Sequence, residues 1–130
     1  MKKDTKLTLA DLIAKKAAKQ ASKDRTEEVY INSLGGEIDI KRPKNSFLYK
    51  TIDMLKDESF EDVIYANSYL IYHSVSAFQD KSLHEAYEVK EPVEIVQELL
   101  EISEINEVAT KILELAGFSK PEDLKNEVKN

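Results

Sequence analysis

The sequence predicts a mainly α protein: a small bundle of about five helices carrying one N-terminal β-hairpin. Three observations lead there. Apolar residues recur at three- and four-residue spacing over most of the 130 residues. One stretch, "EEVYINSLGGEIDIKRP" (Glu27 to Pro43), alternates with period two instead. The composition, 42% hydrophobic and 34% charged with only three Gly and three Pro, is that of a folded chain rather than a disordered one. The length suits one core. The expected organisation is a basic helical arm over 1–25, a compact domain over 26–118 with its hairpin at 27–42, and a frayed tail over 119–130.

The first helix is predicted over 7–23, "LTLADLIAKKAAKQASK". Thr8 and Asp11 stand at capping-box spacing, and Leu7 and Leu12 where a hydrophobic staple packs. Beyond Ile13 the apolar face shrinks to alanines, which favour helix but offer little area to bury. Such a helix is either a solvated arm or a segment awaiting a partner. Its apolar head, Leu9, Leu12 and Ile13, is a candidate binding surface, and packing against the protein's own body is the competing reading.

In the hairpin, Val29 and Ile31 alternate with polar neighbours on one strand, and Ile38 and Ile40 on the other. Gly35-Gly36 supplies the positive φ of the reversal. A two-stranded ribbon needs its apolar face covered, so this one is expected to lid the helices that follow. Its outer strand leaves an edge that can pair with another chain, and weak self-association is a corresponding expectation.

Asn45 or Ser46 is expected to cap the next helix, with Phe47, Leu48, Thr51, Ile52 and Leu55 on its inner side. Ser59 and Asp62 are spaced to cap the longest apolar segment, "FEDVIYANSYLIYHSVSAF". There Phe60, Ile64, Ile71, Val75 and Phe78 share a helical spacing, and Tyr65, Tyr69 and Tyr72 form a second stripe. Apolar on two faces, it reads as the central helix. The tyrosines are either core residues with hydroxyls at the rim or a partner-binding surface. A connector over Asp80 to Pro92 makes one short turn near Leu83. Val93, Val96, Leu99 and Leu100 then bury the side of "PVEIVQELLEI". Ser103 is expected to cap the last helix, which ends at Gly117 in a Schellman arrangement bringing Phe118 to Leu113. Pro121 forbids continuation.

Without cysteine, thiolate chemistry and disulfides are excluded. No apolar run reaches the roughly 18–20 residues of a membrane span, and the N-terminus lacks a secretory pattern, so a cytoplasmic protein is expected. The net charge of −6 divides into +5 over residues 1–25 and −11 over the rest. The basic arm has no aromatic residue and the acidic body repels phosphate, which argues against nucleic acid. His73, His84 and Glu85 are the candidates for metal or acid–base chemistry. Helix-face metal ligands stand four residues apart, and these do not. Glu94, Glu98, Glu101, Glu104 and Glu107 read as a solvated face. No phosphate loop or nucleophile is recognisable; neither an enzyme nor a cofactor is expected.

In order and spacing, "LTLADLIAKK", "VYINSLGGEIDIKRP", "SLHEAYEVKEPVEIVQELLE" and "INEVATKILELAGF" resemble the XkdN-like phage tail assembly chaperones, from Leu7 to Phe118. The resemblance implies a non-enzymatic protein of long-tailed phages or prophages of Gram-positive hosts. Such proteins are made in the host cytoplasm, coat the tape measure protein and keep it soluble while the tube polymerises, and they are absent from the mature virion. A longer, frameshifted form is thought to recruit tail tube protein; this chain would correspond to the short form. The family carries no catalytic residues over. The alternative is a small acidic helical regulator or adaptor binding another protein.

Overall fold

In the computed structural model, which describes residues 6–56 and 59–118, Thr8 starts the first helix through a reciprocal cap. Its Oγ1 accepts the Asp11 N–H at 3.2 Å, and the Thr8 N–H donates to Asp11 Oδ2 at 2.9 Å. Helix α1 (Leu9–Ala14) is separated from α2 (Lys16–Lys23) by Lys15, at φ −78° and ψ −5°. No residue of either helix is buried, and Leu7, expected to staple onto Leu12, is itself exposed. The first five residues of the expected arm, and the tail over 119–130 with its Pro121, lie outside the described residues.

Strands β1 (Thr26–Ile31) and β2 (Gly36–Lys41) pair antiparallel, with Val29 opposite Ile38 and Ile31 opposite Gly36. Directly opposed residues share a face, so the alternation puts Val29, Ile31 and Ile40 in the core while Tyr30, Glu37 and Asp39 stay wet. The reversal is longer than a two-residue turn: residues 32–35 form it, and Gly35 closes it at φ +67°. Gly36, expected to share that task, is an ordinary strand residue. The far end of the ribbon is tied down where the Lys41 N–H donates to Ser74 O at 2.8 Å.

Helix α3 (Asn45–Leu55) buries Leu48, Thr51 and Leu55, as its stripe requires. Its N-cap is Lys44, with no side-chain cap, rather than Asn45 or Ser46. The buried Pro43 just ahead fixes the entry of the chain by its locked φ. Helix α4 (Phe60–Tyr72) begins at Ser59, whose Oγ accepts the Asp62 N–H at 3.1 Å. Its buried residues include the run Ala66, Asn67 and Ser68, which shows neighbours on several sides. The helix stops at Tyr72, short of Phe78: Ser74 turns its hydroxyl back to Leu70 O at 2.8 Å, and Ser76–Gln79 continues as a 3₁₀ turn. Val75 and Phe78 are still buried, but Phe60 at the opposite end is exposed.

Asp80 caps α5 (Lys81–Ala86), the short turn expected near Leu83. Helix α6 (Glu94–Leu99) buries Ile95 and Val96, so its inner side lies between two adjacent residues, with Leu99 only half-buried. Helix α7 (Ile102–Leu115) packs along α4, and Asn67 Nδ2 donates to Asn106 Oδ1 between them at 3.0 Å. Its N-cap is Glu101 rather than Ser103. The C-terminus is a Schellman motif: the Phe118 N–H bonds Leu113 O at 2.8 Å, the Gly117 N–H bonds Glu114 O at 3.0 Å, and Gly117 sits at φ +105°.

The core therefore joins the inner face of the hairpin to α3, α4, α6 and α7, with Ile40, Leu70, Ile71, Ile95, Val96 and Ile112 fully enclosed. Each such aliphatic side chain contributes roughly 1.5–3 kcal/mol through burial. Within this helix-dominated α+β fold the hairpin covers the bundle, as its apolar face requires.

Candidate partner-binding surfaces

Leu9, Leu12 and Ile13 stand at i, i+3 and i+4 and so share one side of α1. They remain 75%, 56% and 64% exposed. Of the two readings the sequence left open, packing on the body is not what the structure shows. The capping box starts the helix at Leu9, so all three residues lie within its helical turns. The alanines of α2 supply no bulk that would press it onto the domain.

The tyrosine stripe divides. Tyr65 is 41% exposed and stands apart from the stacked rings. Tyr69 and Tyr72 are half-buried in an aromatic cluster built around His73. The Phe47 ring stacks on the His73 imidazole, with centroids 3.8 Å apart and planes within 7°. Tyr69 and Tyr72 meet the same imidazole edge-on, at 4.6 and 5.1 Å. Burial pushes the Tyr69 phenol up, with Tyr65 adding to the effect, and burial alone raises that of Tyr72. Burial also holds the His73 imidazole below its ordinary value, which favours the neutral ring in this apolar packing. His84 lies beyond Tyr72, its Nε2 2.7 Å from Phe78 O. A carbonyl only accepts, so Nε2 carries the proton there. Among the described residues no group of three or more His, Cys, Asp or Glu is placed to hold a metal ion. His73 and His84 each pack against Tyr72.

The row of carboxylates needs one correction. Glu94, Glu98, Glu101 and Glu107 face solvent, but Glu104 is only 8% exposed and anchors the hairpin tip. Its Oε1 accepts the Ser33 hydroxyl at 2.6 Å and the Glu101 N–H at 2.9 Å, and its Oε2 accepts the Ser33 N–H at 2.9 Å. These bonds hold its carboxyl below the ordinary glutamate value, the Ser33 hydroxyl most strongly.

A feature the site prediction passed over is a cleft of ≈ 620 Å³ between the end of α2 and the start of α3. Lys23, Lys41, Arg42 and Lys44 line it, with Gln20, Asn45 and Gln79, and the Phe47–His73 stack forms part of its wall. The signal was present as the run "KRPK", three cations in four positions on an otherwise acidic body. What the sequence did not reveal was that α2 would stand opposite it.

The fold and these surfaces define a helix-dominated protein that exposes an apolar helix face and a basic cleft. The family model of the phage XkdN-like tail assembly chaperones (TAC) matches residues 9–129. The chain belongs to this family, and its general role is in the assembly of phage tails. No curated protein and no solved structure matched the chain. No helix among the described residues is long and apolar enough to cross a membrane.

Proposed function

We propose that this chain is a non-catalytic chaperone that binds the tape measure protein in the host cytoplasm and keeps it soluble during tail assembly. On this reading residues 1–25 act as a client-binding arm, the domain over 26–118 carries it, and the chaperone is left out of the finished virion. The observation that carries the reading is the exposure of Leu9, Leu12 and Ile13 on one side of a helix with no buried residue. A tape measure helix laid against that face would cover apolar side chains on both partners, each gaining up to roughly 1.5–3 kcal/mol on full burial. Single contacts of that strength are modest, and many chaperone copies along one client supply the avidity. Tyr65, with Tyr69 and Tyr72 half-buried beside it, is the second surface proposed for the client.

The experiment is co-expression of the tape measure protein with the full chain or with a chain lacking residues 1–25. The full chain is expected to co-purify with a soluble client; the truncated chain is expected to fold but to leave the client largely in the pellet. Equal solubility with both chains would refute the arm.

A further inference from the structure

We propose that the cleft between α2 and α3 is a docking site for an acidic segment of a partner polypeptide, a proposal that rests on the reading that the chain binds a client protein. Four cations, Lys23, Lys41, Arg42 and Lys44, converge on this one concavity. Among the described residues the ion pair is Lys56 with Asp53, so none of the four is neutralised within the described fold. Among the described residues the lining holds one carboxylate, Asp24, which faces the Gln20 amide at 3.3 Å. A cleft in which four cations outnumber one carboxylate focuses a positive field and attracts the opposite charge.

The backbone corner that carries Lys41 and Arg42 is also held in place. Lys41 and Arg42 are half-buried, the Lys41 N–H is bonded to Ser74 O, and Pro43 is buried beside them. A corner of this stiffness loses little conformational freedom when it binds. The amides of Gln20, Asn45 and Gln79 add donors for carboxylate or backbone oxygen, and the uncapped start of α3 adds its positive dipole end.

The occupant follows from charge and size. A nucleic-acid strand carries its charge well past the cleft, onto a body of net −11 over residues 26–130. A short acidic stretch of polypeptide fits the basic patch and ends before that repulsion begins. The cleft lies at the end of α2, the second of the two consecutive helices that begin at Leu9, and so at most about 20 Å from Leu9 at helical rise. The favoured client thus has an apolar stripe at one end and carboxylates within about four helical turns of it.

The test uses the full chain and a synthetic helical peptide with leucines at one end and glutamates at the other, followed by fluorescence anisotropy and backbone amide shifts. Controls are the same peptide with glutamines, single-stranded DNA and inorganic phosphate. The glutamate peptide should shift the amides of Lys41, Lys44, Phe47 and His73, bind about tenfold tighter than the glutamine peptide at low salt, and lose that advantage at high salt. The double variant Lys41→Glu/Arg42→Glu should abolish the advantage, as should Lys23→Glu/Lys44→Glu, which alters only exposed side chains and guards against a folding defect. Equal binding of the two peptides, undiminished binding by both variants, or DNA or phosphate competing as well as the glutamate peptide would each overturn the proposal. Because residues 1–25 also carry Gln20, Lys23 and Asp24 of the cleft, the arm is read separately by co-expressing the client with the Leu9→Ser/Leu12→Ser variant, which leaves the cleft residues in place. Client solubilised by the full chain without any cleft shifts would refute the cleft alone, and cleft binding with a client solubilised equally well by the Leu9→Ser/Leu12→Ser variant would refute the arm alone.

Discussion

Ser33 and Glu104, 71 positions apart in the chain, fasten the tip of the hairpin to the start of the last helix. One carboxylate receives the hydroxyl and the amide of Ser33 together with the amide of Glu101. It therefore satisfies a loop and a helix N-terminus at once.

Replacing Ser33 by Ala removes the hydroxyl bond and should cost about 1 kcal/mol in chemical denaturation. Glu104→Ala should cost more, because it leaves both backbone amides without their acceptor. If the two variants were as stable as the parent, the tip would not depend on this contact.

The same carboxylate makes stability pH-dependent. Its folded-state pKa lies below the ordinary value of 4.5, so the unfolded chain takes up the proton first. The stabilisation is therefore fully present above the ordinary value and is lost as pH falls through the lower folded one. Melting curves of the parent and of Glu104→Gln should differ at neutral pH and converge on acidification. A gap that stayed constant through the acid range would contradict this sign.

For His73 the shift is also downward, but it belongs to a base. The unfolded imidazole protonates first, near its ordinary 6.5, so this residue withdraws stability as pH falls below that value toward the folded one. An NMR titration of His73 should show a midpoint below 6.5, and His73→Phe should flatten the stability profile in that window. An unshifted midpoint would mean the ring is more hydrated than its stack on Phe47 indicates.

Core and arm should respond oppositely to truncation. Leu70→Ala and Ile112→Ala each empty a fully buried site and should cost about 2–5 kcal/mol. Leu9→Ser with Leu12→Ser should change stability by no more than about 0.5 kcal/mol, since both side chains are already in water. Denaturant midpoints of the three variants provide the comparison.

The glycines offer a backbone test. Gly117→Ala forces a side chain into a left-handed conformation and should destabilise by about 1–2 kcal/mol. Gly36→Ala meets open space at an ordinary φ and should be neutral or stabilising by a few tenths of a kcal/mol. Equal losses at both positions would show that strand packing rather than φ decides.

Much of this fold was written in short-range chemistry. Thr8 with Asp11, Ser59 with Asp62, and Gly117 with Phe118 mark helix ends through atoms within five positions of one another, and all three were legible. The alternation of Val29, Ile31, Ile38 and Ile40 likewise announced both the ribbon and its buried side. Misreadings arose where distant residues competed. Ser103 looked the better cap, yet Glu101 takes that position because Glu104, already held by Ser33, receives its amide. The central helix ended early because Ser74 bonds back to Leu70 while its carbonyl receives Lys41.

For the surfaces the division is similar. Side-chain type, spacing and charge were sufficient to single out Leu9, Leu12, Ile13 and the tyrosines, since amphipathicity is a property of neighbouring positions on one helix. Whether those side chains end up bare or covered is a question about the rest of the chain. Only the packed molecule left α1 uncovered, drew Tyr69 and Tyr72 around His73, buried Glu104 within an apparently solvated row, and set α2 opposite "KRPK" to make a cleft. Burial and charge convergence are sums over residues remote in sequence, and a local pattern does not contain them.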